Sequence, residues 1–115
     1  LKIKNEGYPA IKVKLGLDGK TDVERIKAIR AAVGDAMPLI LDSGVRRGSD
    51  VVVARCLGAN STLFGRPTLF GVAAAGQAGA ARALQLVRQE IDMVMTQIGC
   101  RAVSELDSGY LWPAP

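Results

Sequence analysis

Glycine and arginine residues follow two short apolar runs of the sequence, in a pattern that suits the binding of phosphate. The first run is followed by Asp42–Gly48 (DSGVRRG), and the second, Ser61–Phe64, is followed by Gly65 and Arg66. Glycine lets backbone amides approach a ligand closely, and the guanidinium group offers a permanently charged fork of donors that matches phosphate oxygens. We therefore predict a clamp in which Arg46 and Arg66 hold one phosphate group.

The position of the clamp in the fold also follows from the sequence. Ligands of parallel α/β sheets and barrels bind at the carboxyl ends of the strands, and both glycine–arginine turns follow a predicted strand. The helix predicted after Gly48 would direct its N-terminus to the same place, which favours an anion. The residues alone leave a second interpretation open, in which the arginines are only solvated and the glycines only form turns.

Several kinds of chemistry are excluded by the residue counts. The 115 residues include no histidine, which rules out histidine acid–base catalysis, histidine–metal sites and Ser-His-Asp triads. Cys56 and Cys100 lack the spacing of a metal site, and we expect two reduced thiols, although the spacing leaves a disulfide open. A net charge of +4 without a dense basic run, and only one Trp, two Tyr and two Phe, argue against a nucleic-acid partner.

Hydropathy predicts no membrane-spanning segment, because no run of about 18 apolar residues occurs. No secretory leader is recognisable either, so we expect a cytoplasmic protein.

The elements that must position the clamp alternate in the order β-α-β-α-β-α. They are predicted as a strand Ala10–Leu15, a helix capped by Thr21 and ending before Gly34, a strand Pro38–Asp42, a helix capped by Ser49 or Asp50 and ending at Leu57, a strand Ser61–Gly65, and a helix Gln77–Ile98. Such alternation predicts an α/β fold of parallel strands. The chain is too short for a (βα)8 TIM barrel of about 250 residues, so we expect a partial barrel or an open sheet, with an irregular tail docked by Trp112.

From about Ala31 to Leu111, the sequence resembles the C-terminal end of the FMN-dependent 2-hydroxy-acid oxidase and dehydrogenase family. The resemblance is carried by PLILDSGVRRGSDVVVARCLGANSTLFGRPTLFGVAAAGQAGAARALQLVRQEIDMVMTQIGC. The family has a D-[GS]-G-[VI]-R-R-G turn after its seventh barrel strand and a G-R after its eighth, and these turns bind the flavin phosphate and ribityl chain. The resemblance thus implies an FMN cofactor held by Asp42, Ser43, Gly44, Val45, Arg46, Gly65 and Arg66.

The resemblance also implies what the chain lacks. Members of the family abstract a substrate proton with a histidine of an S-N-H-G-G-R-Q motif, whose arginine binds the substrate carboxylate, and this motif is absent here. We therefore assign no catalytic residue and no metal ligand, and we expect this chain alone to be inactive toward 2-hydroxy acids.

Residues 1–42 also resemble a barrel segment of the enolase superfamily, in its mandelate racemase-like branch. Lys12 and Lys14 match a K-x-K strand that supplies a catalytic lysine, and Asp42 matches a metal-binding aspartate. The asparagine expected after that aspartate is missing, as are the later acidic ligands, so this resemblance does not support racemase chemistry.

We interpret the chain as a single domain, residues 1–115, that is a fragment or a chimera of two barrel segments. Residues 1–37 would be the enolase-like segment and residues 38–115 the FMN-oxidase-like segment, with the join near Pro38–Asp42. The predicted function is the FMN-phosphate-binding, C-terminal portion of a 2-hydroxy-acid oxidase-like flavoenzyme. The alternatives are a catalytically silent structural or engineered barrel fragment and, third, an enolase-like metal site. The open sheet edges predict association with a second copy or with a complementing fragment.

Overall fold

A computed structural model of the chain describes residues 5–16 and 18–112. At its centre is a parallel three-stranded sheet in the order β1-β2-β3, formed by β1 (Ile11–Lys14), β2 (Leu39–Asp42) and β3 (Ser61–Leu63). The predicted α/β class with parallel strands is confirmed, and each strand lies within its predicted range. A parallel sheet of this size is consistent with a segment of a (βα)8 barrel.

The strands alternate with three helices. These are α1 (Gly19–Val33), α2 (Gly48–Cys56) and α3 (Arg66–Gln97), and the tail adds two 3-10 turns, Val103–Glu105 and Ser108–Tyr110. The β-branched run 51–53 is helical, as its place between two strands predicted.

One face of the sheet packs against α1 and α2. Val13 and Leu41 are buried there with Ile26 of α1 and Ala54 of α2, in a single apolar cluster. Burial of such side chains stabilises a fold by about 1.5–3 kcal/mol each. This cluster fixes the sheet to its helices and thereby fixes where the strands end.

The opposite face, the open face of the sheet, carries exposed and half-buried side chains in the ranges that the structure describes. Lys12 and Lys14 are exposed there, on either side of the buried Val13, and Ile40 and Asp42 are half-buried. The strict alternation predicted for β1 is confirmed. Because the ammonium groups of the two lysines remain in solvent, they do not incur the free-energy cost of burying a charge.

A second apolar cluster joins α2, α3 and the tail. Its buried members are Val52, Cys56, Met95, Cys100 and Leu106. Leu111 packs against both clusters and links the tail to the sheet. The prediction that Trp112 docks the tail is wrong, because its side chain is 91% exposed, and Leu106 and Leu111 anchor the tail instead.

Helix α1 begins two residues before the predicted cap. Its first residue is Gly19, and the Thr21 hydroxyl donates to the Asp18 carboxylate at 2.6 Å. Thr21 is therefore inside the first turn and not at the N-cap, so that prediction was wrong. The predicted end is confirmed, since the helix ends at Val33 and Gly34 adopts a φ of 76°.

Helix α3 contains a sharp bend that divides it into two segments. Ala75 and Gly76 have non-helical backbone angles, and Gly76 has a φ of 57°, which glycine adopts without strain. Gly71 and Gly79 touch across the bend, where a Cβ on either would collide with the backbone of the other. The segment after the bend corresponds to the predicted helix Gln77–Ile98, whereas the segment before it was not predicted.

Candidate phosphate-binding site

A cavity of about 350 Å³ lies at the carboxyl ends of β2 and β3. All the residues that the sequence assigned to the cofactor line it, together with three apolar side chains: Asp42, Ser43, Gly44, Val45, Arg46, Leu63, Phe64, Gly65, Arg66 and Leu69. Arg46 and Gly65 are 19 residues apart in the sequence, and the pairing of Asp42 with Leu63 in the sheet brings the two turns together. The structure thus assembles the predicted residues at one place.

The turn after β2 is tightly wound. Ser43 and Gly44 both have a φ of 80°. This left-handed conformation is free for glycine but costs a residue with a Cβ about 1 kcal/mol or more. Two such residues in succession turn the chain sharply away from the strand, so that Val45 is buried while Arg46 emerges into solvent.

Arg46 and Arg66 face a common space. Both line the cavity described above, and both also line an adjoining cavity of about 390 Å³ with Pro67 and Phe70. Both side chains are exposed, and neither forms an ion pair with any described residue. Two uncompensated guanidinium groups at one cavity are the donor set that a phosphate group prefers.

Arg47, the neighbour of Arg46, has a different partner. Its Nε donates to Oε1 of Glu90 at 2.7 Å, and its Nη2 lies 2.6 Å from the same oxygen. This contact raises the pKa of Arg47 and, together with the amide of Gly48, lowers the pKa of Glu90. Arg47 therefore ties α2 to α3 and is not available to the cavity.

The N-terminus of α2 is already occupied by carboxylates of the protein. Oδ2 of Asp50 accepts from the amides of Arg46 and Arg47, both at 2.9 Å, and Oε2 of Glu90 accepts from the amide of Gly48 at 2.7 Å. The expectation that this helix terminus would receive an anionic ligand is therefore wrong. Asp50 does cap the helix, but from its third position, with Arg47 as the N-cap residue.

The N-terminus of α3, in contrast, has no carboxylate in its first turn. Gly65 is its N-cap residue, and Pro67 lies in its first turn. The positive end of the helix thus adjoins the cavity that Gly65 and Arg66 line. Sequence reasoning missed this helix start, although a proline just inside a helix after glycine is a known signal for one.

Asp42 adds a negative charge to the arginine-rich cavity, and that charge has a partner. Its Oδ2 lies 3.4 Å from Nζ of Lys12, on the open face of the sheet. The enolase-like interpretation would need further acidic ligands near this pair, but the described residues contain no cluster of three or more His, Cys, Asp or Glu side chains fit for a metal ion.

A larger cavity, of about 450 Å³, lies between α1 and α2. Its lining is mainly apolar, and its acidic side chains include Asp22, which accepts from the amide of Gly16 at 2.7 Å, and Asp50. Among the described residues, no lysine or arginine lines it. The smaller cavity, which Arg46 and Arg66 line, is therefore the better candidate for an anion site.

The smaller cavity fits the phosphate end of FMN. Arg46, Arg66 and the start of α3 supply positive charge for a phosphate group, and Asp42 offers acceptor oxygens for hydroxyl groups. Leu63, Phe64 and Leu69 add apolar surface to its lining. The donor set therefore matches a ligand that joins a phosphate to a polyhydroxyl chain.

Fold and site together describe an α/β, barrel-type segment with a candidate phosphate-binding site at its strand ends. Comparison with protein-family models is more specific, because residues 18–113 match the family described as FMN-dependent dehydrogenase. The chain belongs to this family, whose members use FMN as cofactor.

Two curated relatives illustrate the match. The chain is 38% identical to L-lactate oxidase from Nostoc sp. over 96 residues, which are 83% of this chain and 26% of that protein. It is 40% identical to glycolate oxidase from Spinacia oleracea over 92 residues, which are 77% of this chain and 25% of that protein. The chain thus spans about a quarter of the length of these relatives.

Solved structures give the same picture. A crystal structure of the monotopic membrane protein (S)-mandelate dehydrogenase matches with a TM-score of 0.80 at 36% identity, covering 96% of this chain and 31% of that one. The flavin-binding domain of baker's yeast flavocytochrome b2 matches with a TM-score of 0.81 at 26% identity, covering 99% and 34%.

The comparisons also bear on the predicted join. The family match begins at residue 18, earlier than the resemblance from about Ala31, and it spans Pro38–Asp42. The enolase-like resemblance of the first 42 residues receives no support from these matches. Among the residues that the structure describes, no helix combines the length and apolar character needed to cross a membrane.

Proposed function

We propose that this chain is the FMN-phosphate-binding, C-terminal portion of a 2-hydroxy-acid oxidase- or dehydrogenase-like flavoenzyme. The observation that carries the proposal is the cavity at the ends of β2 and β3, where Arg46 and Arg66 meet without a carboxylate partner among the described residues. Relatives named L-lactate oxidase and glycolate oxidase support 2-hydroxy acids as the substrate class.

Each residue of the cavity has a role in this proposal. Arg46 and Arg66 bind the phosphate oxygens, and Gly44 and Gly65 let the backbone approach them. Asp42 accepts hydrogen bonds from the ribityl hydroxyls.

The proposal assigns cofactor binding to the chain and no proton transfer. When bound, FMN would supply the electron-accepting chemistry for oxidation of the substrate at its 2-carbon. The chain has no histidine to remove a substrate proton. By itself it would hold and orient the cofactor without oxidising a 2-hydroxy acid.

We further propose that the open face and edges of the sheet are covered by a second copy of the chain or by a complementing fragment. Exposed strand edges are templates for pairing, and Leu63 is 45% exposed at this face. Light scattering after size-exclusion chromatography tests this, with a mass above that of one chain as the expected result.

The two free, buried cysteines support a reducing compartment such as the cytoplasm.

Titration of the purified chain with FMN, followed by flavin fluorescence, tests the cofactor proposal. We expect saturable binding, weakened about tenfold to a hundredfold by Arg46→Ala or Arg66→Ala, because a hydrogen bond to a charged group contributes about 1.5–3 kcal/mol. Arg88→Ala is the matched control, since Arg88 is exposed on α3 and lines neither arginine cavity.

Three outcomes separate the candidates. Binding that both site variants lose and Arg88→Ala keeps supports the clamp. Equal losses in all three variants would mean that only net charge matters. No binding by the unchanged chain at millimolar FMN would favour the alternative, a catalytically silent fragment whose arginines attract stray anions.

A further inference from the structure

Asp42 poses an electrostatic problem for the cavity it lines. A carboxylate beside a bound phosphate repels it, because both groups are negatively charged. The only cation within ion-pair distance of Asp42 among the described residues is Lys12, whose Nζ lies 3.4 Å from Oδ2. Neither arginine of the clamp is paired with Asp42.

We propose that Lys12 is a positioning residue of the cofactor site, an inference that rests on the proposed FMN function. Its ammonium group holds Oδ2 of Asp42 and compensates its charge, so that Oδ1 remains available to the hydroxyl groups of the ribityl chain.

The sheet itself sets up this contact. Lys12 and Asp42 lie on adjacent parallel strands and on the same, open face, because side chains alternate along a strand. The Asp42 side chain is 28% exposed and the Lys12 side chain 59%, so the pair lies at the edge of the cavity and not in the core. A change at Lys12 can therefore alter Asp42 without removing core packing.

Lys14 provides the matched control. It lies on the same strand and the same face, it is exposed, and its Cα is in register with that of Asp42. Nevertheless, Lys14 forms no ion pair with any described residue. A general effect of positive charge on an anionic ligand would involve both lysines, whereas the proposed contact involves Lys12 alone.

The experiment measures FMN dissociation constants for the full chain and for Lys12→Gln, Lys12→Arg, Lys14→Gln, Asp42→Asn and the double variant Lys12→Gln/Asp42→Asn. We expect Lys12→Gln to weaken binding about twofold to fivefold, the range of exposed ion pairs. Lys12→Arg should restore most of the affinity, and Lys14→Gln should change it less than Lys12→Gln. In the Asp42→Asn background, Lys12→Gln should have no further effect, because its partner is already gone.

The possible results separate this inference from the function it rests on. The inference is overturned if Lys12→Gln binds FMN with the same dissociation constant as the unchanged chain. It is also overturned if Lys12→Gln still weakens binding in the Asp42→Asn background, because Lys12 then does not act through Asp42. Equal losses for Lys12→Gln and Lys14→Gln would overturn it too, in favour of a diffuse charge effect. Absence of FMN binding by the unchanged chain would refute the proposed function, and this inference with it.

Discussion

Arg46 and Arg47 are adjacent, yet the fold gives them different partners. Arg46 faces the cavity with Arg66, while Arg47 is held by Glu90 on α3. The sequence motif presents both as equivalent cations, and the difference arises because the turn directs successive side chains to opposite sides. The two glycine–arginine turns at the cavity were predictable, because glycine and arginine are close in the sequence within each turn. The Arg47–Glu90 contact was not, since its partners are 43 residues apart.

The lowered pKa of Glu90 predicts that the stability of the fold depends on pH. Its pKa is lowered from an ordinary value of 4.5, first by the hydrogen bond from Arg47 and then by that from the Gly48 amide. A folded-state pKa below the unfolded value means that the ionised carboxylate stabilises the fold. That contribution is complete above about pH 4.5 and is lost as the pH falls through the lowered folded-state pKa. We therefore expect Glu90→Gln to lower the urea midpoint at pH 7, and the difference from the unchanged chain to shrink below pH 4.5.

Urea unfolding between pH 3 and pH 7 measures this effect, with Asp92→Asn on the same helix as the control. Asp92 is exposed, and its side chain forms no hydrogen bond or ion pair with α2 in the part of the chain that the structure describes. If the urea midpoints of Glu90→Gln and the unchanged chain differ by the same amount down to pH 3, the ionised carboxylate of Glu90 does not stabilise the fold as proposed.

At the scale of the elements, α2 and α3 meet more closely than side chains normally allow. A Cβ on Gly48 would come within 2.5 Å of Cβ of Glu90 and of the backbone nitrogen of Ile91, and within 2.6 Å of the carbonyl oxygen of Val87. Two of these atoms belong to the backbone and cannot move aside by changing rotamer. Gly48 is thus required by the packing of the two helices, whereas the sequence suggested only a role in ligand approach.

We expect Gly48→Ala to destabilise the chain by about 1–3 kcal/mol, the usual cost of overpacking. Ser49→Ala, one residue further along the same helix, should change stability by less than about 0.5 kcal/mol, because Ser49 is exposed. Urea unfolding of both variants measures this. Similar midpoints for the two would show that the helices can separate slightly at no cost.

Strands and helices were predicted correctly where local sequence patterns are strong. Features that depend on contacts between distant residues were not predicted. The buried strand 39–42 and the helix ending at Gly34 could be read from apolar runs and glycine. The helical segment that begins at Arg66 was missed although Gly65 and Pro67 signal its start. The bend at Ala75 and Gly76, where Gly71 and Gly79 approach each other closely, could not be predicted from local patterns. Trp112 was expected to dock the tail, but its neighbour Leu111 packs against both apolar clusters instead.

At the scale of the whole molecule, the alternation of strands and helices along the chain predicted the parallel sheet. The match to the FMN-dependent dehydrogenase family agrees with a parallel sheet. Among the described residues, α1 and α2 pack on one face of the sheet, as helices do in a segment of a barrel. The position of the site follows from this arrangement, because parallel strands bring successive turns to one edge. The residues that neutralise charges around the site, Lys12 and Glu90, come from other elements and became apparent only in three dimensions.

Leu111 provides a test of whether the chain folds as one domain. It is half-buried and packs against both apolar clusters, so the sheet and the α2–α3–tail cluster should unfold together. Cys56 and Cys100 are buried probes of the second cluster, and burial raises the pKa of the Cys56 thiol, which makes it unreactive until it is exposed. We expect urea unfolding followed by far-UV circular dichroism and by thiol labelling to give coincident midpoints. Leu111→Ala should lower the midpoints by both measurements equally. The corresponding loss in the free energy of unfolding should be about 1–2 kcal/mol, less than the cost at a fully buried leucine. Leu84→Ala, at a site 52% exposed on α3, should leave both midpoints nearly unchanged. Thiol labelling that precedes the loss of helical signal would show instead that the second cluster unfolds on its own and that the chain contains two units.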